Sequence, residues 1–259
     1  MLVIAENLNT RNRNYMTALK ARDKKALEGI VNKIAERGPD YINVQCSLDG
    51  SGDEENLAFV TEIVVKAGLK VCLDSRNTEA LRKSITVLKE PPIINYLSAD
   101  EKNADEILEI VKRSEASLVL RALKGTVPRT LEAKLMILED LIEKANLADI
   151  PNGRLFADPS VVHIGGGSGQ EHIVNVRDCL VVLNEMVEPP VNTVVWVSNI
   201  STGVQKEIKS RLNAAFLYYM AGAGLDAAFV DVMDDEIARA IYLIRTFRDE
   251  EVFSPAQVA

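Results

Sequence analysis

Short apolar runs alternate with longer amphipathic segments along nearly the whole chain. The apolar runs predict strands at 2–5, 41–44, 71–74, 93–96, 117–123, 154–158, 193–198 and 226–231. The segments between them space their apolar residues three and four positions apart, as one face of a helix requires. They predict helices at 24–38, 56–68, 78–89, 105–114, 130–147, 172–187, 205–224 and 235–249. The pattern is therefore a strict alternation of strands and helices.

The predicted strands show little polar alternation, which is typical of parallel strands that are buried on both faces. Parallel strands joined by helices form right-handed crossover units. About eight such units in 259 residues favour an α/β fold, the (β/α)8 TIM barrel, with residues 1–259 as a single domain. An open doubly wound sheet is the alternative, but it usually has a glycine fingerprint after its first strand. The stretch ENLNTRNRN at 6–14 contains no glycine.

The composition argues against several other classes of protein. The net charge is −8 and no cluster of Lys and Arg is present, so a nucleic-acid surface is not expected. The three cysteines, Cys46, Cys72 and Cys179, form no CxxC pair, which argues against a disulfide framework and fits a reducing compartment. The N-terminus does not resemble a signal peptide, and no apolar run reaches the roughly 20 residues of a membrane helix. We therefore expect a cytoplasmic protein.

In a TIM barrel the carboxyl ends of the strands build the active site. The residues at these ends are mostly carboxylates and amides, and they include Glu6, Asn43, Asp74, Asn95, Asp158, Ser198 and Asn199. A metal site would need His or clustered carboxylates at ligand spacing, and a phosphate site would need Lys, Arg or a glycine nest. Asp and Asn instead offer acceptors and donors to a flat, nitrogen-rich heterocycle. A dry, polar pocket made of Asp74, Asn95 and Asp158 would therefore suit a pterin, and no metal site is expected.

A polar residue at a strand end has a second interpretation. Asp, Asn and Ser often cap the following helix by accepting hydrogen bonds from its first N–H groups. Capping is the favoured interpretation of Ser75, Asn77 and Ser201. For Asp74 or Asp158 taken alone, a structural and a functional role are equally good. The recurrence of such residues on several strands favours a binding site.

At these residues the sequence resembles the pterin-binding methyltransferases, which move methyl groups between tetrahydrofolate and corrinoid proteins. The similar stretches follow one another in order across nearly the whole chain. They are IAENLN (4–9), YINV (41–44), VCLDSRN (71–77), IINY (93–96), ADP (157–159), VSNIS (197–201) and GLDAAFVD (224–231). Each stretch is weak alone, and the ordered set is fairly specific.

The resemblance implies roles for the strand-end residues. Asp74, Asn95 and Asp158 would hydrogen-bond the pterin ring, and Asn199 would lie near N5, the nitrogen that carries the methyl group. Asn43 would lie in the same pocket, with Ser198 and Glu6 as support. The substrate would be tetrahydrofolate or 5-methyltetrahydrofolate. The cobalamin would be carried by a separate corrinoid protein, since the chain has no D-x-H-x-x-G stretch. Relatives of this kind are often homodimers.

Parts of the sequence depart from the family. Its second strand often reads D-x-N-x-G, whereas residues 41–45 here read YINVQ. The loop HIGGGSGQEH at 163–172 could cradle an anion, but we favour a mobile loop near the pterin or the partner. His163 and His172 are expected at the surface or as caps.

Other functions stay open at this point. A dihydropteroate synthase-like enzyme would share the barrel and the pterin pocket, but NLNTRNRN at 7–14 does not match its Asn-x-Thr-Pro-Asp-Ser-Phe-Ser loop. A folate-binding barrel without catalysis is a second alternative. A metal-dependent hydrolase is a third, and the absence of HxH pairs argues against it.

Overall fold

The computed structural model describes residues 1–48, 53–166 and 169–258. Its strands are β1 Leu2–Leu8, β2 Tyr41–Gln45, β3 Lys70–Asp74, β4 Ile93–Ser98, β5 Ser117–Arg121, β6 Leu155–Asp158, β7 Asn192–Trp196 and β8 Ala227–Val230. They are parallel and close into a barrel in chain order, with β8 paired to β1. The predicted TIM barrel is confirmed.

Helices follow the strands and surround the barrel. Within the described residues they are α1 Arg13–Lys20, α2 Lys24–Ala35, α3 Asp53–Lys66, α4 Thr78–Ile85, α5 Ala104–Arg113, α6 Leu131–Leu147, α7 Gly169–Met186, α8 Lys206–Ala221 and α9 Asp235–Phe247. Eight of them correspond to predicted helices, with ends shifted by a few residues. In the same part of the chain, none of the helices has the length and apolar content needed to cross a membrane.

Helix α1 was not predicted. The Asn12 side chain caps it by accepting hydrogen bonds from the N–H groups of Asn14 and Tyr15. Tyr15 and Leu19 are buried and hold the helix against the barrel. Because only one face of eight residues is apolar, the segment has too few repeats for a helical period to show in the sequence.

Strand β1 is longer than the predicted strand 2–5. It continues to Leu8, and its register with β2 shifts between Ala5 and Leu8. Glu6 therefore lies within the strand and not in the loop that follows it. At the other predicted boundary that matters for the site, β5 ends at Arg121, two residues before the predicted end.

The interior of the barrel has two layers. Side chains alternate between inside and outside along a strand, and the lower inner layer is the apolar cluster Ile4, Cys72, Ile93, Val119, Phe156, Val194, Ala227 and Phe229. The inward positions nearer the carboxyl ends carry Glu6, Asn43, Asp74, Asn95, Arg121 and Asp158, which we call the polar ring. The outward faces of the strands pack with the helices in a larger apolar cluster. Each fully buried Leu or Ile there contributes about 1.5–3 kcal/mol, so the polar ring has a rigid support.

Candidate functional site

A cleft of about 530 Å³ opens above the polar ring at the carboxyl end of the barrel. Its walls include Glu6, Asp74, Asn95, Arg121 and Asn199. A second cleft, of about 1070 Å³, shares Asp74 and Asn95 with it and extends over the first turns of α3 and α4. The volume of the first cleft is that of a site for one small molecule.

Three residues of the polar ring form a chain of hydrogen bonds across neighbouring strands. The Asn43 amide donates to Asp74 Oδ2 at 3.0 Å, and the Asn95 amide donates to Asn43 Oδ1 at 3.3 Å. Asn43 is fully buried and lies below the cleft, so it holds Asp74 and Asn95 in place. The Asn95 Oδ1 atom is buried and has no hydrogen-bond partner among the described residues. Such an unpaired acceptor is costly unless a ligand supplies a donor.

The same network sets the protonation of Asp74. Burial raises the pKa of its carboxyl to about 6, although the hydrogen bond from Asn43 and the charge of Arg121 both oppose that rise. Desolvation therefore exceeds the stabilisation of the charged form. The carboxylate is still the main form at neutral pH, and it can accept N–H groups from a ligand.

Asp158 belongs to the polar ring but lines neither of the two clefts, and it is 1% exposed. The backbone N–H of Ser160 donates to its Oδ1 at 2.8 Å. The Arg121 Nε lies 3.5 Å from Oδ2, which is an ion pair but too long for a good hydrogen bond. Burial raises the pKa of Asp158 and Arg121 opposes this. Oδ2 has no hydrogen bond among the described residues, so it is a second buried acceptor without a donor.

Arg121, which pairs with Asp158, and Tyr96 both line the first cleft. The Arg121 guanidinium lies 4.8 Å from the centre of the Tyr96 ring, and that of Arg76 lies 5.2 Å from it. Arg76 also donates to the Tyr96 hydroxyl at 2.5 Å. Arg121 lies at the end of a predicted strand, but it is not among the pterin-binding residues predicted from the sequence. The signal was one charged residue at an inward position of the apolar run SLVLRAL, 117–123.

Glu6, Ser198 and Asn199 form the third side of the cleft. The Ser198 hydroxyl donates to Glu6 Oε2 at 2.9 Å, and Glu6 is 7% exposed. Burial raises the pKa of Glu6 to about 7, and the hydrogen bond from Ser198 opposes this. Ser198 and Asn199 belong to a short 3₁₀ turn, Val197–Ser201, that directly follows β7. This turn places Asn199 on the wall of the cleft.

Gln45 stands where the family pattern D-x-N-x-G has its glycine, and its side chain binds the neighbouring loop. Its Oε1 atom accepts hydrogen bonds from both the N–H and the hydroxyl of Thr10, each at 3.0 Å. The loop after β1 is thereby tied to the end of β2. Tyr41, at the other end of that strand, packs against the apolar layer below the polar ring.

Helix capping is confirmed for one of the three candidates. Asn77 caps α4 by accepting from the N–H groups of Glu79 and Ala80. Ser75 supports that turn, since its Oγ accepts from the Asn77 N–H. The interpretation of Ser201 as a cap is wrong, because its hydroxyl donates to the Ser198 carbonyl.

Two buried basic side chains, Lys134 and His172, form hydrogen bonds with the backbone just after Asp158. The Lys134 ammonium, on α6, donates to the carbonyls of Pro159 at 2.5 Å and Ser160 at 3.0 Å. His172 Nε2 accepts from the Val162 N–H at 2.9 Å. His172 is 2% exposed, so its expected surface position is wrong. Burial lowers its pKa to about 4, which keeps the ring neutral and able to accept this hydrogen bond.

The buried Lys134 should make the stability of the protein depend on pH. Burial lowers its pKa from 10.5 to about 8, so between these values the unfolded chain binds more protons than the native state. The free energy of unfolding therefore rises with pH in this window. We expect the difference between wild type and Lys134→Met to grow in favour of wild type by about 2 kcal/mol from pH 7 to 9.5, measured by urea denaturation.

The control for this prediction is Lys144→Met, an exposed lysine of the same helix. That substitution should give a difference from wild type that is nearly constant over the same range. A constant difference for Lys134→Met as well would show that Lys134 keeps an ordinary pKa in the folded protein.

Residues 167 and 168 of the glycine-rich loop lie outside the described residues. The choice between an anion cradle and a mobile loop therefore stays a prediction. At Gly169, where α7 begins, a side chain would collide with the backbone of Ile164. A glycine is required at that position for steric reasons alone.

A family model described as pterin binding enzyme matches residues 22–231 of the chain. The chain belongs to this family. The methylcorrinoid:tetrahydrofolate methyltransferase of Eubacterium limosum is 24% identical over 247 residues, which cover 93% of this chain and 89% of that protein. The methionine synthase of Mycobacterium tuberculosis is 26% identical over 248 residues, but the match spans only 20% of that protein.

Solved structures of dihydropteroate synthases share the fold. The enzyme of Xanthomonas albilineans with 4-aminobenzoic acid superposes with a TM-score of 0.72 at 18% identity, covering 97% of this chain and 93% of that one. The Yersinia pestis enzyme gives a TM-score of 0.70 at 16% identity, covering 96% and 94%. The family match and the similar methyltransferase confirm the resemblance to the pterin-binding methyltransferases. The barrel itself is shared with the dihydropteroate synthases.

Proposed function

We propose that the protein is a methyltransferase that moves a methyl group between N5 of tetrahydrofolate and the cobalt of a corrinoid carried by a separate protein. The observation that carries this proposal is the set of buried, unpaired acceptors beside an amide at the mouth of the barrel. The similarity to a methylcorrinoid:tetrahydrofolate methyltransferase over 93% of the chain supports it. The direction of transfer is left open.

The polar ring suits a pterin because its acceptors match the donors of that ring system. Asn95 Oδ1 and Asp158 Oδ2 are both buried without hydrogen bonds. We propose that they and Asp74 accept the N–H groups of the aminopyrimidinone edge. A ligand N–H that pairs with such a buried acceptor relieves the cost of leaving it unpaired.

Asn199 is proposed to act at N5. During transfer to cobalt, N5 gains an electron pair as the methyl group leaves, and in the other direction it gains positive charge. A primary amide can donate to N5 in one case and accept from it in the other. Such a fixed dipole stabilises charge that develops in the transition state.

The corrinoid is proposed to arrive on a partner. The 530 Å³ cleft has room for a small heterocycle but not for a corrinoid as well. The partner would dock over the carboxyl ends of the strands, where the cleft opens. A single domain over residues 1–259, a cytoplasmic location and a homodimer remain predictions. Tyr218 and Tyr219 of α8 are 37% and 46% exposed and are available for an interface, whereas Phe216 is buried.

The reaction can be followed anaerobically through the cobalt absorption bands. We expect the protein to convert methylcobalamin and tetrahydrofolate to cob(I)alamin and 5-methyltetrahydrofolate, or to run the reverse. Free cobalamin tests the chemistry, and a purified corrinoid protein tests dependence on the carrier. Folate binding without turnover on either would favour a folate-binding barrel.

A dihydropteroate synthase-like activity is the second candidate, since the fold is shared with those enzymes at a TM-score of 0.72. Incubation with a pterin pyrophosphate and 4-aminobenzoate separates the two. Formation of dihydropteroate, with no change in the cobalt bands, would replace our proposal.

A further inference from the structure

Glu6 is a buried carboxyl with one side-chain hydrogen bond to the part of the chain that the structure describes. It lies on β1, and its Oε2 accepts from the Ser198 hydroxyl at 2.9 Å. It also forms part of the wall of the 530 Å³ cleft, next to the turn that carries Asn199. A carboxyl that only joined two elements would have no need to face a ligand cleft.

The charged groups around Glu6 are of both signs. Asp231, beyond β8, raises the pKa of Glu6, and Arg11, in the loop after β1, lowers it. Across the cleft lie Asp74 and Arg121. Asp231 is itself held by the Asn7 amide, which donates to its Oδ1 at 2.5 Å. No cation approaches Glu6 within ion-pair distance among the described residues, so its carboxyl is free to change its protonation state.

We propose that Glu6 is the general base and general acid that exchanges the proton of folate N5 during methyl transfer. The inference rests on the proposed function and assigns a step that Asn199 cannot perform. An amide is not a proton source at neutral pH, whereas a carboxyl is. The Ser198 hydrogen bond fixes the direction of the Glu6 carboxyl.

The step balances in both directions. From a methylcorrinoid, the N5 lone pair of tetrahydrofolate attacks the methyl carbon, the Co–C bond breaks, and its electron pair stays on cobalt as Co(I). The N5 proton passes to the Glu6 carboxylate. In reverse, Co(I) attacks the methyl carbon, the C–N5 bond breaks, and its electron pair stays on N5. Neutral Glu6 then gives its proton to N5.

The protonation state of Glu6 suits this role. Burial brings its pKa to about 7, so both forms are populated near neutrality. An acid or base with a pKa near the working pH is the most effective catalyst of proton transfer. The sign of the pH dependence follows directly. Transfer to cobalt needs neutral Glu6 and falls as pH rises above about 7, whereas transfer to folate needs the carboxylate and falls below it.

The test is the pH profile of kcat/KM, which reports the free enzyme. With 5-methyltetrahydrofolate and cob(I)alamin, we expect the wild type to be level below about pH 7 and to fall tenfold per pH unit above it. Glu6→Gln should lose the plateau and decline across the whole range, and it should be on the order of 100-fold slower at pH 6. Ser198→Ala should move the break to higher pH, because the hydrogen bond it removes favours the ionised form.

Glu6→Asp distinguishes catalysis from a structural role, since it should retain the break at a lower rate. A titration of the Glu6 carboxyl carbon by NMR gives a readout that does not depend on turnover. A plateau and break that survive in Glu6→Gln would overturn the inference while leaving the proposed function intact. No transfer by the wild type in either direction would overturn both.

Discussion

Replacing Asn199 with alanine is expected to lower kcat for methyl transfer about 100-fold or more and to change the Kd for tetrahydrofolate by only a few-fold. The reason is that the amide lies on the cleft wall beside the Glu6–Ser198 pair and not among the buried acceptors proposed to hold the ring. Removing a donor that acts mainly on developing charge typically costs 10²–10³ in rate. The measurement is single-turnover cobalt absorption together with calorimetric binding of tetrahydrofolate.

The matched control for Asn199 is Asn32→Ala, which makes the same chemical change at an exposed position of α2. Its kcat and Kd should equal those of the wild type. Rate and affinity that fall together in Asn199→Ala would mean that Asn199 binds substrate and transition state equally. That result would remove its assignment to N5.

Asp158→Asn is expected to weaken tetrahydrofolate binding by roughly 100-fold, equivalent to about 2.7 kcal/mol. The substitution replaces an acceptor by an amide that can turn a donor towards the N–H groups of the pterin. It also leaves the Arg121 guanidinium, now 3.5 Å from Oδ2, without its counter-charge. Both effects take place at a side chain that is 1% exposed, where water cannot compensate for them.

A double-mutant cycle with Arg121→Met sharpens the test of Asp158. Because the two side chains are paired, the double variant should bind more tightly than the sum of the single effects predicts. Asp105→Asn, an exposed carboxylate on α5, is the control and should bind normally. Unchanged affinity in Asp158→Asn would show that the pterin lies elsewhere.

The sequence allowed much of the barrel to be predicted, because strands buried on both faces are continuous apolar runs. The last three residues of β1 are not predicted, because Glu6 and Asn7 interrupt the apolar run, although the backbone remains extended through Leu8. The sequence places Lys134 in the predicted helix 130–147 but gives no prediction of its burial. It lies three residues after Leu131 and four before Leu138, on the buried face of α6, and that spacing was the available signal.

The residue types of the site could be predicted, but their arrangement could not. Asn43 and Asp74 lie far apart in the sequence, and their hydrogen bond depends on the stagger of β2 against β3. Apolar runs do not specify that stagger. The same limit applies to Arg121, whose pairing with Asp158 needs the register of β5 and β6. Sequence patterns indicate which side chains lie at the carboxyl end of the barrel. The strand register in the closed barrel determines which of them contact one another.

The six members of the polar ring all come from strands, whereas much of the rim above them, including residues 9–12, Ser198, Asn199 and Asp231, belongs to the connecting segments. The ring is fixed by the hydrogen-bonded ladder of the barrel, and the rim is not. Evolution can therefore alter the rim, and with it the choice of partner, by insertions and substitutions that leave the ring untouched. One chemistry can in this way be inherited unchanged while the proteins it serves diverge.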